Sequence, residues 1–424
     1  MRKMNKMLRF PGIMLKSYAF LCNFVGVMNQ TTSDYIRDHA EADVRQLALQ
    51  GAKDPEVDMV YALEQIAGRQ MARTKLPSWA AVDGIVYPPH LSMEQCSSEQ
   101  TARYKASIAG KGMLVVDLTA GFGVDMAFIS KEFDRAVHVE RQPQLCAISS
   151  ENYQRLGLQH IEVVCGDGID YLHQLDHADL IYLDPARRDE HGGRTYGIAD
   201  CTPNVLEILD EMLKKAERVM LKLSPMLDWR KAVADVGHVS EVHIVSVNNE
   251  CKELLLILGV GKTRTDTDNV RVVCVNLLSN GGKEVFTFGQ DDSPHKSALA
   301  RCQNFLFEPN ASIMKAGCFD EIEGKYPVAQ LDRNSHLFVS DQDIQDFPER
   351  RFIIERRSSM NKRELKQALE GLTQANIAVR NFPLSVAELR KRLKLKDGGD
   401  VFIFATTVVN EGHQLFICRK ISEK

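Results

Sequence analysis

The chain has 424 residues, of which 44% are hydrophobic and 26% are charged. This length exceeds what one ordinary core supports, so we expect two to four domains, and the composition excludes a disordered or fibrous protein. Its 10 cysteines are scattered, and none belongs to a Cys-x-x-Cys pair. This pattern predicts a reduced, cytoplasmic protein without a metal site.

The net charge of −4 conceals an uneven distribution. Residues 350–424 hold 16 Lys and Arg against 8 Asp and Glu, a net charge of +8, whereas the rest of the chain holds 37 against 49, a net charge of −12. A basic segment attached to an acidic body favours an anionic partner. A solvated helical face explains the same charges, and charge alone does not decide between these interpretations.

Residues 1–28 contain five basic residues and no acidic residue, and they end in an apolar run from Ser17 to Met28. No small-x-small cleavage pattern follows, which disfavours a signal peptide. Because Met28 opens a stretch typical of a cytosolic start, we expect an extension from a misassigned start codon, without order and without a membrane partner. A membrane anchor is the alternative, for which the run is short.

The segment 29–109 is predicted to form a helical domain, since apolar residues recur in it at helical spacing. A Pro-rich connection precedes its last helix, which Ser97 or Ser98 caps. The predicted helices cover 34–39, 42–51, 55–73 and 92–109.

From residue 110 the pattern changes to short apolar runs. The first five are separated by helical patterns, which is typical of right-handed crossovers on a parallel sheet. The last two are joined by Asn248–Glu253, as in an antiparallel hairpin. We therefore predict an α/β class domain over 110–262 with a Rossmann-like, seven-stranded sheet, which differs from the wholly parallel sheet of a dinucleotide dehydrogenase. The predicted strands are 113–118, 136–140, 161–165, 180–184, 219–223, 241–247 and 254–259.

Two small α+β domains are predicted to follow, over 263–345 and 346–424. The first contains a hairpin around Asn280–Gly282, a helix and a strand. The second contains a strand, a helix, a short strand, a helix and two final strands. The predicted elements are strands 270–278, 284–288 and 335–339 and helix 311–325 in the first domain, and final strands 401–409 and 414–419 in the second.

The first strand of the predicted sheet ends in a glycine-containing turn, Asp117-Leu-Thr-Ala-Gly121-Phe-Gly123. Glycines after a strand let the backbone approach a ligand and turn into the next helix. The dinucleotide fingerprint requires a third glycine where this chain has Met126, so a pyrophosphate ligand is disfavoured. An acid at the strand end beside this turn suits a cationic amino-acid group better than a phosphate.

The next three predicted strands also end in acids, Glu140, Asp167 and Asp184. Glu140 can accept both hydrogen bonds of a ribose diol, and Asp167 is placed to reach an adenine amino group. One strand-terminal acid is usually a helix cap or a surface residue. Four in succession behind a glycine turn predict a cofactor site at the carboxyl edge of the sheet.

Over residues 92–260 the sequence resembles the class I methyltransferases. The resemblance implies S-adenosylmethionine as the cofactor, with its ribose held by Glu140 and its adenine by Asp167. The segment Glu94–Thr101 is similar to a motif that touches the cofactor's carboxylate in several nucleic-acid methyltransferases, although a helix cap explains the same residues. The expected cofactor-binding residues are Asp117, Thr119, Gly121, Phe122, Gly123, Glu140, Asp167, Gln100 and Thr101.

The whole chain resembles a bacterial family of class I methyltransferases that carry a ferredoxin-like and a THUMP-like C-terminal domain. The resemblance implies an RNA partner, because THUMP domains are similar to RNA-binding modules of tRNA-modifying proteins. The basic segment agrees with this, but no base-stacking aromatic motif is visible. The motifs behind the match are Asp184-Pro-Ala-Arg-Arg188, Lys222–Asp228, Asn249–Glu253 and Glu308-Pro-Asn310.

Asp184 and Pro185 stand where many nitrogen methyltransferases carry an acid or amide followed by Pro-Pro and an aromatic residue. There the side chain accepts from an exocyclic amine and the aromatic ring stacks on the base. Here Ala186 and Arg187 replace the second proline and the aromatic residue, so Tyr196 is a candidate for base stacking.

The Asp-Pro-x-Arg motif also resembles that of uridine C5-methyltransferases, which attack the base with a cysteine just after the fifth strand. This chain has Ser224 there, so a covalent C5 mechanism is disfavoured. Arg187 and Arg188 can contact phosphate or pair with nearby acids.

These patterns predict an RNA methyltransferase acting on a ring or exocyclic nitrogen, with guanine N2 as the leading position. The alternatives are a small-molecule or protein methyltransferase and a non-catalytic homologue that binds cofactor or RNA. The predicted catalytic residues are Asp184, Pro185 and Arg187. The predicted substrate-binding residues are Arg188, Tyr196, Lys222, Ser224, Arg356, Arg357, Lys362 and Arg363.

Overall fold

A computed structural model of the protein describes residues 29–186, 197–259, 270–289 and 304–421. The chain divides into two compact units. The first comprises residues 1–223, 235–239 and 256–264, and the second comprises residues 224–234, 240–255 and 265–424. The predicted extension 1–28 and the predicted site residues Arg187, Arg188 and Tyr196 lie outside the described residues.

From residue 29 to residue 109 the first unit is helical, as the periodicity predicts, but the structure has six helices there where four were predicted. Polar side chains cap several of them: Asp58, for example, accepts a hydrogen bond from the backbone N–H of Tyr61 at 3.1 Å. The single helix expected over 92–109 is wrong, because Ser98 has extended backbone and its Oγ accepts from Thr101 N at 3.3 Å, which starts a new helix. The helices are α1 (Gln30–Asp38), α2 (Val44–Gln50), α3 (Met59–Lys75), α4 (Pro77–Ala80), α5 (His90–Gln95) and α6 (Glu99–Ile108).

The first unit continues with five parallel strands in the order β3-β2-β1-β4-β5. The central residues of β1, β4 and β5 are apolar and fully buried, which explains their continuous hydrophobic runs, whereas the central residues of the outer strand β3 are partly exposed. The order reverses between β1 and β4, and the carboxyl ends of strands at such a switch point form a ligand crevice. The elements are β1 (Gly112–Asp117), α7 (Val124–Ile129), β2 (Phe133–Glu140), α8 (Pro143–Arg155), β3 (Ile161–Cys165), α9 (Gly168–Gln174), β4 (Ala178–Leu183), α10 (Val205–Lys215) and β5 (Ala216–Leu223).

After α11 (Trp229–Val236), strands β6 (Val239–Val247) and β7 (Glu250–Gly259) lie side by side. The two residues between them, Asn248 and Asn249, have φ of 47° and 63°, as in a two-residue hairpin turn. All seven predicted strands therefore form. The hairpin expected around Asn280 forms as well, and its strand β8 (Arg271–Leu277) also pairs in parallel with β6.

The second unit holds a seven-stranded sheet in the order β11-β12-β10-β13-β16-β15-β14. The helix predicted over 311–325 is broken, because Gly317 adopts φ of 66° and ends its first half. The sequence patterns missed β10 and β11. The elements are β9 (Lys283–Phe288), paired with β8, then β10 (Phe305–Pro309), α12 (Ala311–Ala316), α13 (Phe319–Lys325), β11 (Ala329–Gln330), β12 (Phe338–Ser340), β13 (Glu349–Ser359), α14 (Lys362–Ala368), β14 (Asn376–Arg380), α15 (Val386–Leu393), β15 (Val401–Val408) and β16 (Gly412–Lys420).

The helices α14 and α15 pack on the same face of this sheet. Buried Leu389 and Leu393 of α15 and Ala368 of α14 share one cluster with Ile403 and Ile417 of the final strands. The outer surfaces of both helices therefore face solvent. None of the helices within the described ranges is long and apolar enough to cross a membrane.

Candidate cofactor and substrate site

The glycine turn after β1 is held by backbone hydrogen bonds. Ala120 N donates to Val139 O at 3.0 Å, and Gly123 N donates to Ala120 O at 2.8 Å. Gly123 has φ of 82°, and a Cβ there would lie 2.1 Å from the Tyr153 hydroxyl. Both the backbone conformation and the space therefore require glycine at this position.

Asp117 lies beneath this turn and is 1% exposed. Its Oδ1 accepts from Thr119 N at 2.9 Å, and in the described part of the chain no basic side chain forms an ion pair with it. Burial, followed by the nearby charges of Asp125, Asp184 and Glu140, raises its pKa well above the ordinary value. A buried carboxyl group without a basic partner fits the cationic amino group of the expected cofactor.

Glu140 ends β2 and is 8% exposed. Its Oε2 accepts from Gly121 N at 3.0 Å, and its Oε1 accepts from Gln142 N at 2.8 Å. The carboxylate is thereby fixed against the glycine turn. Each oxygen keeps a second lone pair, so the group can still accept from a ribose diol.

Asp167 follows β3 and caps helix α9. Its Oδ1 accepts from Ile169 N at 2.8 Å, so the helix-cap interpretation holds alongside the expected contact with adenine. Beside it, Gly168 lies against the turn: a Cβ there would be 2.1 Å from the Leu118 carbonyl oxygen. Gly168 was not among the predicted site residues, although its position directly after the strand-terminal acid Asp167 could have indicated it.

A buried polar network lies behind the turn. Lys105 is fully buried and its Nζ is 3.1 Å from Asp125 Oδ1, while Ser97 Oγ and Tyr182 Oη donate to Asp125 Oδ2 at 2.8 and 2.7 Å. Burial raises the pKa of Asp125, but Lys105 and Lys222 and these hydrogen bonds outweigh it, so the pKa is lowered. Sequence reasoning missed this network, which ties the segment before α6 to the start of α7.

Two of the residues predicted to bind the cofactor, Thr101 and Phe122, take part in capping and packing contacts within the protein. Thr101 is 3% exposed and its Oγ1 donates to Ser98 O at 3.2 Å, within the cap of α6. Phe122 is also 3% exposed and packs edge-to-face on Trp79 at 5.1 Å between ring centroids. Gln100 is half-buried on α6. These surroundings favour a framework role for Thr101 and Phe122.

Asp184, the predicted catalytic acid, directly follows β4 and forms an ion pair with Lys222 near the end of β5. The side chains of Asp184 and Lys222 are 36% and 13% exposed. Asp184 N donates to Thr119 Oγ1 at 2.7 Å, which joins this pair to the glycine turn. Pro185 is buried, so it shapes the backbone after Asp184.

The remaining predicted substrate residues fall into two groups. Ser224 is buried and its Oγ accepts from Met226 N at 3.1 Å, while Arg356 donates to two carbonyl oxygens and Arg357 pairs with Glu411. The polar groups of these three side chains therefore form hydrogen bonds or ion pairs within the protein. Lys362 and Arg363 of α14, in contrast, are exposed.

Among the residues that the structure describes, one group of side chains could hold a metal ion. His177, Asp179 and Glu217 place one ligand atom each within 4.8 Å of one another, at the amino-terminal ends of β4 and β5. Asp179 Oδ2 already accepts from Met113 N and Leu114 N, both at 2.7 Å. This group lies at the edge of the sheet opposite to Asp184, and the expectation of no metal stays a prediction.

Three protein families match parts of the chain. A family described as THUMP domain-like matches residues 349–420, and one described as a ferredoxin-like domain matches residues 305–348. The family of protein-L-isoaspartate(D-aspartate) O-methyltransferases matches residues 99–188.

Two relatives match most of the chain, and a third matches a short part of it. A crystal structure of a Porphyromonas gingivalis protein assigned as a methyltransferase has a TM-score of 0.82 and 30% sequence identity, and covers 92% of this chain and 98% of that chain. An uncharacterised S-adenosylmethionine-dependent methyltransferase of Mycobacterium tuberculosis is 24% identical over 75% of this chain and 83% of its own length. The ribosomal RNA small subunit methyltransferase J of Legionella pneumophila is 34% identical over 18% of this chain and 34% of its own length.

Proposed function

This chain belongs to the bacterial S-adenosylmethionine-dependent methyltransferases that carry a ferredoxin-like and a THUMP-like domain, and we propose that it methylates a nitrogen of a base in tRNA or ribosomal RNA. The proposal includes a cytoplasmic location, where such RNA is found. It also includes the assignment of individual residues to cofactor and substrate.

Three features support the assignment of the cofactor residues. Among the described residues no basic side chain forms an ion pair with the buried Asp117, and Glu140 is fixed against the glycine turn. Gly121 has φ of 57° and open space around it, so a ligand can approach its backbone. In this assignment Asp117 holds the amino group, Glu140 holds the ribose and Asp167 holds the adenine. When bound, the cofactor supplies an electrophilic methyl group.

The observation that carries the RNA proposal is a basic surface on the THUMP-like domain. Its side chains are exposed, and within the described ranges none of them forms an ion pair. Phosphate groups of RNA neutralise such cations and release counterions, which stabilises the complex. The matched region of the ribosomal RNA methyltransferase J agrees with an RNA substrate. The basic surface consists of Lys362, Arg363, Lys366, Lys391, Arg392, Lys394 and Lys396.

Asp184 supplies the chemistry at the substrate. Its carboxylate can accept a hydrogen bond from a base N–H, orient the nitrogen and receive its proton. Thr119 holds the backbone of Asp184 against the turn, so substrate and cofactor positions are coupled. Most of the rate enhancement then comes from alignment of the two groups.

Nucleoside analysis of a deletion strain tests the proposed function. We expect mass spectrometry of total tRNA and ribosomal RNA to show one methylated nucleoside missing, and plasmid expression of the wild type to restore it. The Asp184→Ala variant should not restore it, because the proton acceptor is lost. An unchanged nucleoside profile in the deletion strain would refute an RNA substrate.

The basic surface makes a separate prediction. Replacing Lys362, Arg363 and Lys366 together with Ala should weaken RNA binding and reduce the slope of log Kd against log salt concentration by about 2 to 3, since each cation contributes about one unit or slightly less. Fluorescence anisotropy with bulk tRNA measures both quantities. The matched control replaces Arg45, Lys53 and Arg135, which are exposed cations of the first unit, and should leave the slope unchanged. Equal effects of the two triple variants would contradict the assigned surface.

Two other functions remain as outcomes of these tests. A small-molecule or protein methyltransferase predicts cofactor binding without salt-dependent RNA affinity. A non-catalytic homologue predicts RNA or cofactor binding and a deletion strain whose nucleosides are unchanged.

A further inference from the structure

The ion pair of Lys222 and Asp184 restricts which nitrogen of a base can be the methylated atom. We infer that this pair reads a lactam edge, a ring N–H beside a ring carbonyl, so that the methyl group goes to guanine N1 or uracil N3 and not to an exocyclic amine. The inference rests on the proposed function, because it presupposes a nucleobase substrate. It shifts the expected position on guanine from N2 to N1.

The charge that develops during the reaction favours a lactam nitrogen as the methylated atom. An exocyclic amine gains positive charge as it attacks the methyl group, and a neighbouring ammonium group raises the energy of that transition state. A lactam nitrogen loses its proton instead, and negative charge spreads to the adjacent carbonyl oxygen. A lysine beside the acid stabilises this charge, as donors of an oxyanion hole do.

The position of Lys222 also favours a lactam substrate. Its side chain is only 13% exposed, so its charge is weakly screened by solvent. It contacts Asp184 directly and also acts on the charge of Asp125, which lies behind the glycine turn. The ammonium group is therefore held at the carboxyl ends of β4 and β5, beside the predicted proton acceptor.

The pattern of hydrogen-bond donors and acceptors in the ion pair matches a lactam edge as well. An ionised carboxylate only accepts hydrogen bonds, and an ammonium group only donates them. Asp184 and Lys222 side by side thus match a ring N–H beside a carbonyl oxygen. The edges of adenine and cytosine carry a ring nitrogen beside an exocyclic amine, which would place the amine at Asp184 and the cation on the ring nitrogen.

The reaction balances with the groups present. The ring nitrogen forms the new N–CH3 bond, the electron pair of the broken S–CH3 bond stays on sulphur, and the proton of the ring nitrogen passes to Asp184. Lys222 keeps its proton throughout and compensates the charge on the carbonyl oxygen.

The identity of the product tests the inference. Bulk tRNA and ribosomal RNA from a deletion strain are incubated with the full-length protein and S-adenosylmethionine, digested and analysed by mass spectrometry. We expect 1-methylguanosine or 3-methyluridine. Formation of N2-methylguanosine, N6-methyladenosine or N4-methylcytidine would overturn the inference and leave the proposed function standing. No methylated nucleoside would overturn the proposed function itself.

A binding experiment without turnover provides the second readout. Inosine has the lactam edge but no exocyclic amine, whereas 2-aminopurine riboside has the amine without the lactam. Saturation-transfer NMR without cofactor should detect inosine and not 2-aminopurine riboside on the wild type. Stronger binding of 2-aminopurine riboside would contradict a lactam-reading pair.

Variants of Lys222 complete the test. Lys222→Met keeps the length of the side chain and should lose the inosine signal and reduce kcat about 100-fold, a typical effect of removing one oxyanion donor. The control Lys214→Met, at an exposed position on α10, should change neither. Binding of S-adenosylhomocysteine by Lys222→Met shows that the site is folded. If that variant binds it normally and also retains kcat, Lys222 does not stabilise the developing charge.

Discussion

At the scale of single residues, the candidate site contains two buried ionisable groups with different surroundings. Asp117 accepts from Thr119 N at 2.9 Å and is 1% exposed, so its ionised form is costly in the free protein. Lys105 is equally buried but lies 3.1 Å from Asp125, which compensates its charge. Because only Lys105 has its charge compensated within the described residues, Asp117 is the one of the two for which we propose a charged ligand.

Asp117→Asn should therefore separate stability from binding. Because burial raises the pKa of Asp117, its protonated form stabilises the free protein at low pH, and this contribution is lost as pH rises above the ordinary value of 3.8 and through the raised pKa. The variant should thus be more stable than the wild type at neutral pH, as measured by chemical denaturation, with a weaker pH dependence.

The same variant should bind S-adenosylhomocysteine about 10-fold or more weakly in calorimetry, since a charge-assisted hydrogen bond becomes a neutral one. Asp134→Asn, at an exposed position on β2, is the control and should alter neither property. Unchanged affinity in Asp117→Asn would argue against a contact with the amino group.

At the scale of elements, the glycine turn depends on a close approach between two loops. Gly168, at the start of α9, lies so near Leu118 that a Cβ would be 2.1 Å from the carbonyl oxygen. A backbone atom cannot move aside without moving the turn. Gly166, two residues earlier, has nothing within 4 Å of a Cβ.

Gly168→Ala should accordingly displace the turn, lower the thermal midpoint and weaken cofactor binding by about 10-fold or more, because misplaced binding groups lose their alignment. Gly166→Ala is the matched control and should behave like the wild type. Thermal unfolding and calorimetry with S-adenosylhomocysteine provide the two measurements. Similar affinities for the two variants would contradict this account of the turn.

In the sheet of the second unit, one buried acid forms ion pairs with two other strands. Glu308 of β10 is 2% exposed and pairs with Arg350 of β13 and with Arg380 of β14, at 2.8 Å for the latter. One carboxylate thus joins strands that are distant in sequence. This explains the Glu308-Pro-Asn310 motif structurally.

Glu308→Gln should lower the free energy of unfolding by about 3 kcal/mol, because it leaves two partly buried guanidinium groups without a counter-charge. Glu355→Gln removes an acid from the more exposed pair with Arg419 and should cost less than about 1 kcal/mol. Urea denaturation compares them. An equal loss of unfolding free energy in the two variants would show that burial of Glu308 does not strengthen its ion pairs.

At the scale of the whole molecule, a pair of carboxyl groups connects four strands of the second unit. Asn276 of β8 donates to both Glu284 of β9 and Glu349 of β13, each at 3.0 Å, and Asn310 after β10 donates to Glu284 at 3.2 Å. Burial first, and then the charge of Glu284 and a hydrogen bond with it, raises the pKa of Glu349 to about 7.

The stability of the protein should consequently depend on pH near neutrality. A raised pKa in the folded state means that the contribution of Glu349 is complete below its ordinary value of 4.5 and is lost as pH rises through about 7. The thermal midpoint should fall between about pH 5 and about pH 8, and Glu349→Gln should reduce that fall. Glu370→Gln, at an exposed position, is the control. A fall as large in Glu349→Gln as in the wild type would exclude this carboxyl pair as its source.

Local patterns determined the parallel sheet and its acidic edge. Buried strands such as β1 and β4 read as continuous apolar runs, and parallel connections bring all their carboxyl ends to one edge, so the convergence of Asp117, Glu140 and Asp184 follows from chain order. The short strand β10 was missed because a five-residue buried run has no diagnostic period.

Only the tertiary structure decided which distant residues meet. Lys222 lies 38 residues from Asp184, and Lys105 lies 20 residues from Asp125, so no local spacing indicates either pair. The same holds for Glu308 with Arg380, and for the parallel pairing of β8 with β6. Periodicity records which side of an element is buried, whereas the partner across the interface depends on the packing of whole elements. The acidic edge of the sheet was therefore visible in the sequence, but the cation beside Asp184, on which the substrate inference rests, was identified only by the fold.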